Sequence, residues 1–227
     1  GRSRVVRWEE TAAGHLLTTD DGALLTARIV LVATNGFTPE EVSRYHAGRI
    51  LPVLSSILVT RPLTIEERQR AGWTTRQMAY DSRQLLHYFR LLEDGRFLFG
   101  GRGGVDSSNW SLEALEQRLR RSFESLFPAW AGVEHTHFWR GLACLSHDLV
   151  PYVGPLDERK TVWTALAYHG NGVAMGSWCG GAVAHMIAGR PERANAPSVL
   201  TRRLSRFPLP GLRPAYLRGA YIWFEIA

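Results

Sequence analysis

The chain has 227 residues, 45% of them hydrophobic and 21% charged, which is typical of a globular protein with material for one large or two small domains. Its net charge of +6 comes almost entirely from scattered arginines, without the aromatic platform or motif that accompanies nucleic-acid binding. No apolar run reaches the roughly 18 residues that span a bilayer, so we expect neither a nucleic-acid partner nor a membrane partner.

The ends and the cysteines give further expectations. The chain begins at Gly1 without a methionine or a signal-peptide pattern, which suggests a truncated N-terminus. Cys144 and Cys179 match no metal-ligand spacing and suggest no disulfide framework. We therefore predict no metal site, two buried inert thiols and a reducing, cytoplasmic location.

The N-terminal region, residues 4–32, is predicted to be a β-meander. Residues 15–19 and 23–32 flank an Asp-Asp-Gly turn, and the second strand ends in an apolar run typical of strands buried on both faces. Open α/β sheets bind their ligands at the carboxyl ends of such strands. An Asn-Gly pair is also a common tight turn, so both interpretations stay open. The candidate ligand-binding residues here are Ala33, Thr34, Asn35 and Gly36.

Two capping-box patterns predict short helices. The first begins at Thr38, which is followed by proline at the first helical position and by Glu41. The second begins at Thr64 with Glu67 three residues later, and Gly72 is placed to end it.

Residues 85–91 and 96–99 flank an Asp-Gly turn and predict a β-hairpin. Alternation in the first strand places Tyr88 and Arg90 on one face, away from His87. Tyr88 is therefore a candidate for lining a pocket, although an aromatic strand residue is more often part of a core.

After the hairpin, the glycine-rich residues 100–104 are interpreted as a flexible connection. Residues 111–126 then predict an amphipathic helix that Pro128 ends. Its apolar stripe consists of Leu112, Leu115, Leu119, Phe123 and Leu126.

Residues 161–168 predict a strand that leads into a glycine turn and then a helix closed by Gly189. Glycine at positions 170 and 172 lets the backbone approach a flat ligand, and the helix start directs free N–H groups and positive dipole charge at it. The alternative is a glycine loop before a packed helix, with no ligand. The candidate ligand-binding residues of this turn are Gly170, Asn171, Gly172, Val173, Ala174 and Met175.

Four segments together resemble the FAD-dependent oxidoreductases of the D-amino-acid oxidase type, a group that includes glycine oxidase, sarcosine oxidase and γ-glutamylputrescine oxidase. They are residues 29–36, the hairpin at 85–100, residues 141–154 and the final strand–His-Gly-Asn-Gly-Val-Ala-Met-Gly–helix. The aromatic C-terminal region looks like the tail of the γ-glutamylputrescine-oxidase-like branch.

The resemblance implies an α+β fold, with a partial glutathione-reductase-type FAD domain and an antiparallel-sheet substrate domain with helices. On it, residues 1–45 and 141–190 would belong to the FAD-binding domain and residues 46–140 to the substrate-binding domain. Residues 191–227 would form a C-terminal tail.

The implied cofactor is FAD. Ala33 to Gly36 would lie beside it, and His169 to Met175 would wrap the pyrimidine edge of the flavin, where the helix start stabilises negative charge. Tyr88 and His169 are the candidate catalytic residues, although a backbone role for the neighbours of His169 is favoured over acid–base catalysis by its ring. The implied reaction oxidises an amine or amino acid to an imine, with oxygen as electron acceptor and hydrogen peroxide as product.

Two departures from the family pattern modify these expectations. The G-x-G-x-x-G turn that grips the cofactor pyrophosphate is absent, so the chain resembles the C-terminal part of an oxidase. Ala143 and Cys144 stand where relatives that oxidise amino acids carry an Arg-Pro pair, which favours an amine substrate or a carboxylate held elsewhere, for example by Arg102 or Arg140. The alternative function is a non-catalytic fragment or subunit that needs a partner chain to bind FAD.

Overall fold

The computed structural model describes residues 2–102 and 112–226. Its contacts divide the chain into two compact units. The first unit comprises Gly1–Pro52 and Ala143–Arg213, and the second comprises Val53–Leu142 and Pro214–Ala227. Each unit therefore contains residues from two separate parts of the chain.

The first unit opens with an antiparallel meander of β1 (Val5–Thr11), β2 (Gly14–Thr19) and β3 (Leu24–Ala27). The predicted meander is confirmed for these three strands. The single strand predicted over residues 23–32 is wrong, because it breaks after β3 and its last part, β4 (Val30–Val32), pairs in a different sheet.

The second sheet of this unit has the order β10 (Tyr152–Pro155), β11 (Val162–Leu166), β4. Strand β11 runs antiparallel to β10 and parallel to β4. The prediction that residues 29–32 are buried on both faces is wrong: Ile29 is 42% exposed and Leu31 is 43% exposed. The physical reason is that β4 lies at one edge of this sheet, where β11 is its one neighbouring strand among the described residues.

Helix α3 (Gly172–Ile187) covers one face of the β10–β11–β4 sheet, burying Cys179 and Val183 against Val153, Trp163 and Ala165. It ends as predicted, with the next glycine, Gly189, at φ 72°. The opposite face of the sheet packs on a separate cluster formed by Ile50, Cys144, Tyr152, Leu166, Ala167 and Leu204.

A five-stranded sheet dominates the second unit. Its order is β6 (Ala79–Tyr80), β7 (His87–Leu91), β8 (Arg96–Arg102), β5 (Ile50–Pro62), β9 (His135–Ser146). Strands β7 and β8 form the hairpin predicted around the Asp-Gly turn.

Helix α2 (Leu112–Leu126) packs on this sheet through Leu115, Leu119 and Phe123, which confirms the predicted apolar stripe for these residues, whereas Leu112, also placed in the stripe, is 49% exposed. The remainder of the cluster is rich in aromatic residues, and their burial supplies the main driving force for folding this unit. The buried members from other elements are Leu58, Leu63, Leu91, Phe97, Phe99, Trp130 and Val133.

The glycine-rich residues 100–104 were expected to form a flexible connection, but the first two of them lie in a strand. Gly100 and Gly101 belong to β8, while Gly103 and Gly104 lie outside the described residues. Gly100 pairs with Tyr88 across the hairpin, and a Cβ at this position would overlap the Tyr88 ring. Glycine is required here because the aromatic ring of Tyr88 lies directly against the backbone of β8.

One predicted helix forms and the other does not. In α1 (Ile65–Arg70), the Glu67 N–H donates to Thr64 Oγ1 (3.2 Å) and the Thr64 N–H donates to Glu67 Oε2 (2.8 Å), which confirms the capping box. The helix predicted after Thr38 is wrong. The Thr38 hydroxyl donates to the Asn35 carbonyl (2.8 Å), and turns follow.

Two further helices follow α3, namely α4 (Pro191–Ala194) and α5 (Arg213–Ile226). Over the stretches that the structure describes, no helix combines the length and the hydropathy needed to cross a membrane.

Candidate functional site

The two segments singled out from the sequence meet at one edge of the β10–β11–β4 sheet. Strands β4 and β11 are parallel neighbours, with Val32 paired to Thr164, so the segments that follow them leave the sheet on the same side. A hydrogen bond joins the segments, since the Ala167 N–H donates to Asn35 Oδ1 (2.9 Å). The structure thus brings residues 33–36 and 167–175 together.

The backbone of both segments is unusual. Asn35, Ala167 and His169 have φ values of 47°, 64° and 54°, in the left-handed region that side chains with a Cβ rarely adopt. Gly170 has φ 103°, which favours glycine. Such conformations persist only where the surrounding structure holds them, and they are concentrated at binding and catalytic sites.

Helix α3 begins at this edge with its N-terminus open. Its N-cap residue, Asn171, makes no side-chain capping bond, and the first turn holds no acidic residue. Val173 is 97% exposed. The first N–H groups of a helix have no acceptor within it and carry the positive end of its dipole, so this end can hold an electron-rich ligand.

Packing within the chain does not explain the glycine at position 172. A Cβ built there would lie 3.6 Å from Tyr168 Cδ2, an ordinary contact. The missing side chain therefore leaves room on the open side of the turn. This space, the open helix end and the exposed Val173 leave the turn accessible to a ligand.

His169 is held by the chain around it. Its N–H donates to the Cys144 carbonyl (3.3 Å), and its Nε2 lies 3.1 Å from Ser146 Oγ. The Ser146 hydroxyl also lies 2.8 Å from the Val150 carbonyl, to which it can donate. These contacts support a positioning role for the His169 ring, which fixes the turn before Gly170.

A buried histidine is hydrogen-bonded to strand β11 near this edge. His46 is fully buried, with Nδ1 2.7 Å from Ser43 Oγ and Nε2 3.1 Å from Thr164 Oγ1. Thr164 in turn donates its hydroxyl proton to the Val32 carbonyl (2.7 Å). Burial lowers the pKa of His46 to about 4, so the ring is neutral at pH 7. The sequence patterns did not point to this residue.

Tyr88 belongs to the second unit, in strand β7. Its hydroxyl lies 2.9 Å from Ser55 Oγ, and burial raises its pKa above the ordinary tyrosine value. The tyrosine is therefore neutral and can act as a hydrogen-bond donor at pH 7.

Arg90 is a candidate site residue that the sequence analysis did not propose. It shares the face of β7 with Tyr88, as the alternation of side chains requires. Its Nε is buried and has no hydrogen-bond partner among the residues that the structure describes. A guanidinium in this state suits an anionic group, and the strand alternation was the signal that could have identified it.

Both cysteines are fully buried, as expected for inert thiols. Burial raises the pKa of Cys144 to about 12 and also raises that of Cys179. Neither is a thiolate at pH 7, which removes the form that reacts as a nucleophile.

The fold and the site together define a class. A parallel strand pair that carries a glycine turn and an open helix start at its carboxyl edge is the arrangement with which α/β proteins hold nucleotide and flavin cofactors. The chain belongs to the family described as DAO, FAD dependent oxidoreductase, whose model matches residues 1–186. The cofactor of this family is FAD.

Known proteins with similar sequences agree with this assignment. The chain is 27% identical over 227 residues to the probable oxidoreductase OrdL of Rhizobium meliloti, covering 99% of this chain and 50% of the relative. It is 29% identical over 189 residues to the gamma-glutamylputrescine oxidoreductase of Escherichia coli, covering 83% and 42%. Among solved structures, glycine oxidase of Geobacillus kaustophilus is similar, with TM-score 0.64, 20% identity and coverage of 89% of this chain and 53% of that one.

These comparisons confirm the resemblance to oxidases of the D-amino-acid oxidase type, and the mixed helix-and-sheet fold with antiparallel sheets is similar to that of these flavoenzymes. The chain spans about half the length of the curated relatives it matches. The comparisons do not favour the alternative of a non-catalytic fragment or subunit that needs a partner chain to bind FAD.

Proposed function

We propose that this chain is part of an FAD-dependent oxidase of an amine or amino acid, and that it contains the residues that contact the flavin ring. The observation that carries the proposal is the open N-terminus of α3 at the edge shared by β4 and β11. The similar gamma-glutamylputrescine oxidoreductase and glycine oxidase support a substrate of this class.

In this proposal, residues 1–45 and 141–190 form part of a glutathione-reductase-type FAD domain. Residues 46–140 form the substrate-binding domain, and residues 191–227 form a C-terminal tail. The division of the chain into two compact units supports separate cofactor and substrate regions.

When bound, FAD supplies the electron acceptor for oxidation of a C–N bond to an imine, which water hydrolyses. We take oxygen as the final electron acceptor, with hydrogen peroxide as its product. The chain's part is to bind and orient, and to place positive potential where negative charge develops.

The residues of the shared edge have distinct roles in this proposal. The N–H groups at the start of α3, from Gly172 to Ala174, stabilise negative charge on the ring. Residues 33–36 lie beside the cofactor, and His169 holds the turn that brings Gly170 close to it. Asn171, Val173 and Met175 complete the set of residues proposed to contact the flavin.

Tyr88 is proposed to contact the substrate as a neutral hydrogen-bond donor. Positions 143 and 144 hold alanine and cysteine, so no arginine is available there to bind a substrate carboxylate. The proposed substrate is therefore an amine, and an acidic group on it would be bound by other residues. Arg90 is a candidate for that second role, because its buried Nε lacks a partner among the described residues.

The substitution Gly172→Ala tests the cofactor role directly. The chain has room for the added methyl group, so folding stability stays unchanged or rises slightly, as expected for alanine in a helix. A flavin ring against the turn would lose its close approach, so FAD affinity falls by about tenfold, since a contact of this kind is worth roughly 1–2 kcal/mol. Titration of the chain with FAD, followed by flavin fluorescence, measures the loss.

The matched control is Gly180→Ala, in the same helix, where no atom of the described residues beyond the helix's own backbone lies within 4 Å of the added Cβ. It brings the same gain in helix propensity and leaves FAD affinity unchanged. Equal affinities for all three proteins would contradict the site. With FAD bound, anaerobic addition of an amine bleaches the flavin absorption band if the chain oxidises amines, and oxygen restores it with production of peroxide.

A further inference from the structure

A cationic cavity lies in the first unit, and none of residues 33–36 or 167–175 lines it. Its volume is about 340 Å³. Tyr152 and Leu204 contribute to its lining and also belong to the cluster on the face of the β10–β11–β4 sheet opposite α3. The other residues that matter here are Arg44, Tyr45, Arg49 and Arg203.

The charge in this cavity is unbalanced. Three arginines line it, and no carboxylate does so among the residues that the structure describes. Glu10, near its rim, accepts hydrogen bonds from Arg44 and from the Tyr45 hydroxyl, so its charge is already engaged. Arg49 and Arg203 therefore face the cavity without a carboxylate partner in the described part of the chain.

Arg49 carries an energetic cost that an anion would relieve. Burial lowers the pKa of its guanidinium, and the positive charges of Arg203 and Arg206 lower it further. Among the described residues, the only hydrogen bond of the Arg49 side chain is donated to the Leu204 carbonyl. Like charges held this close repel one another. Their clustering becomes favourable when a negatively charged group binds between them.

The arginines are brought together by a defined contact between two segments. The Phe207 N–H donates to the Gly48 carbonyl (2.8 Å), which places residues 203–206 against the turn that holds Arg49. Gly48 has φ 74°, and a Cβ there would lie 2.9 Å from Arg206 Nε. The close approach therefore depends on glycine, and the cluster follows from backbone geometry as well as from flexible side chains.

We propose that this cavity binds a small molecule bearing a phosphate group. A phosphate monoester carries about −1.5 to −2 charges at pH 7, which matches several guanidinium groups better than a single carboxylate does. Guanidinium groups bind phosphate oxygens in pairs of parallel hydrogen bonds. The volume exceeds that of one phosphate and falls within the range of small-molecule sites, with Tyr45 and Tyr152 available to contact an organic part.

The test is calorimetric titration of the 227-residue chain with inorganic pyrophosphate, at an ionic strength held constant with sodium chloride. Arg203→Gln weakens binding by about tenfold or more, because one charge-assisted interaction is lost. Arg202→Gln is the matched control, since it removes the same charge from the neighbouring exposed residue, which does not line the cavity. It leaves the affinity within about twofold.

Arg203→Lys separates charge from geometry. It keeps the positive charge and loses the planar fork, so binding falls between that of the original chain and that of Arg203→Gln. Circular dichroism of each variant checks that the fold is kept. No pyrophosphate binding, equal weakening in the Arg202 and Arg203 variants, or acetate binding as tight as that of pyrophosphate would each overturn the proposal.

Discussion

The buried His46 makes the stability of the first unit depend on pH. Its ring accepts from Ser43 at Nδ1 and donates to Thr164 at Nε2, because the Thr164 hydroxyl proton is already donated to Val32. Protonation would place a charge in a site with no exposed surface. Nearby Glu40 favours that charge and Arg49 opposes it, while burial is the largest influence.

The size and sign of the effect follow from the pKa. In the folded chain it is lowered from 6.5 to about 4, so between these values the unfolded chain binds more protons. The stabilisation is complete above about pH 6.5 and is lost as the pH falls toward about 4. By linkage, the free energy of unfolding falls by about 2 kcal/mol between neutral pH and about pH 5, and by about 3 kcal/mol once the folded pKa is passed.

Urea unfolding of the chain and of His46→Gln at several pH values measures this effect. Glutamine can keep a donor and an acceptor near the same partners and does not titrate. We expect the original chain to lose about 2 kcal/mol more than His46→Gln between neutral pH and about pH 5. The control is the same substitution at the exposed His147, which leaves the pH dependence of the original chain in place. Parallel pH profiles for the chain and His46→Gln would refute the reasoning.

Two further predictions concern the second unit. Thr64→Ala removes the capping box of α1 and lowers the free energy of unfolding by about 1 kcal/mol, measured by urea unfolding, whereas Thr74→Ala at an exposed position without a cap changes it little. Gly100→Ala forces a methyl group into the Tyr88 ring and costs about 1–3 kcal/mol in the same assay. Gly180→Ala, which meets no neighbouring atom, is its control, and an equal response of the two glycine variants would contradict the packing of Tyr88 on β8.

Elements that depend on local chemistry could be predicted from the sequence. The Thr64 capping box, the hairpin around its Asp-Gly turn and the stripe of α2 each involve residues a few positions apart. The burial of β4 could not be predicted in this way. An apolar strand has the same sequence pattern in the middle of a sheet and at its edge, and pairing partners more than a hundred residues away decide which it is.

In the candidate site, too, local features could be predicted from the sequence and long-range contacts could not. The glycine turn and helix of residues 170–175 follow from the sequence pattern, and so does the presence of small residues after β4. The hydrogen bond from the Ala167 N–H to Asn35 does not, because the two residues are 132 positions apart. An Asn-Gly pair suggested a turn, whereas the asparagine also joins the two segments of the site.

The two Thr-x-Glu-Glu patterns explain why local signals fail where they do. At Thr64 the hydroxyl accepts from the Glu67 N–H, and the Glu67 carboxylate accepts from the Thr64 N–H while it also pairs with Arg61, so the box forms. At Thr38 the hydroxyl donates to the Asn35 carbonyl, and turns follow in place of a helix. A contact with the preceding turn thus engages the hydroxyl that would have capped the helix. Because the Thr38 hydroxyl holds the Asn35 carbonyl instead, the turn that carries residues 33–36 keeps its shape at the edge of the sheet, so the failed helix is part of how the candidate site is built.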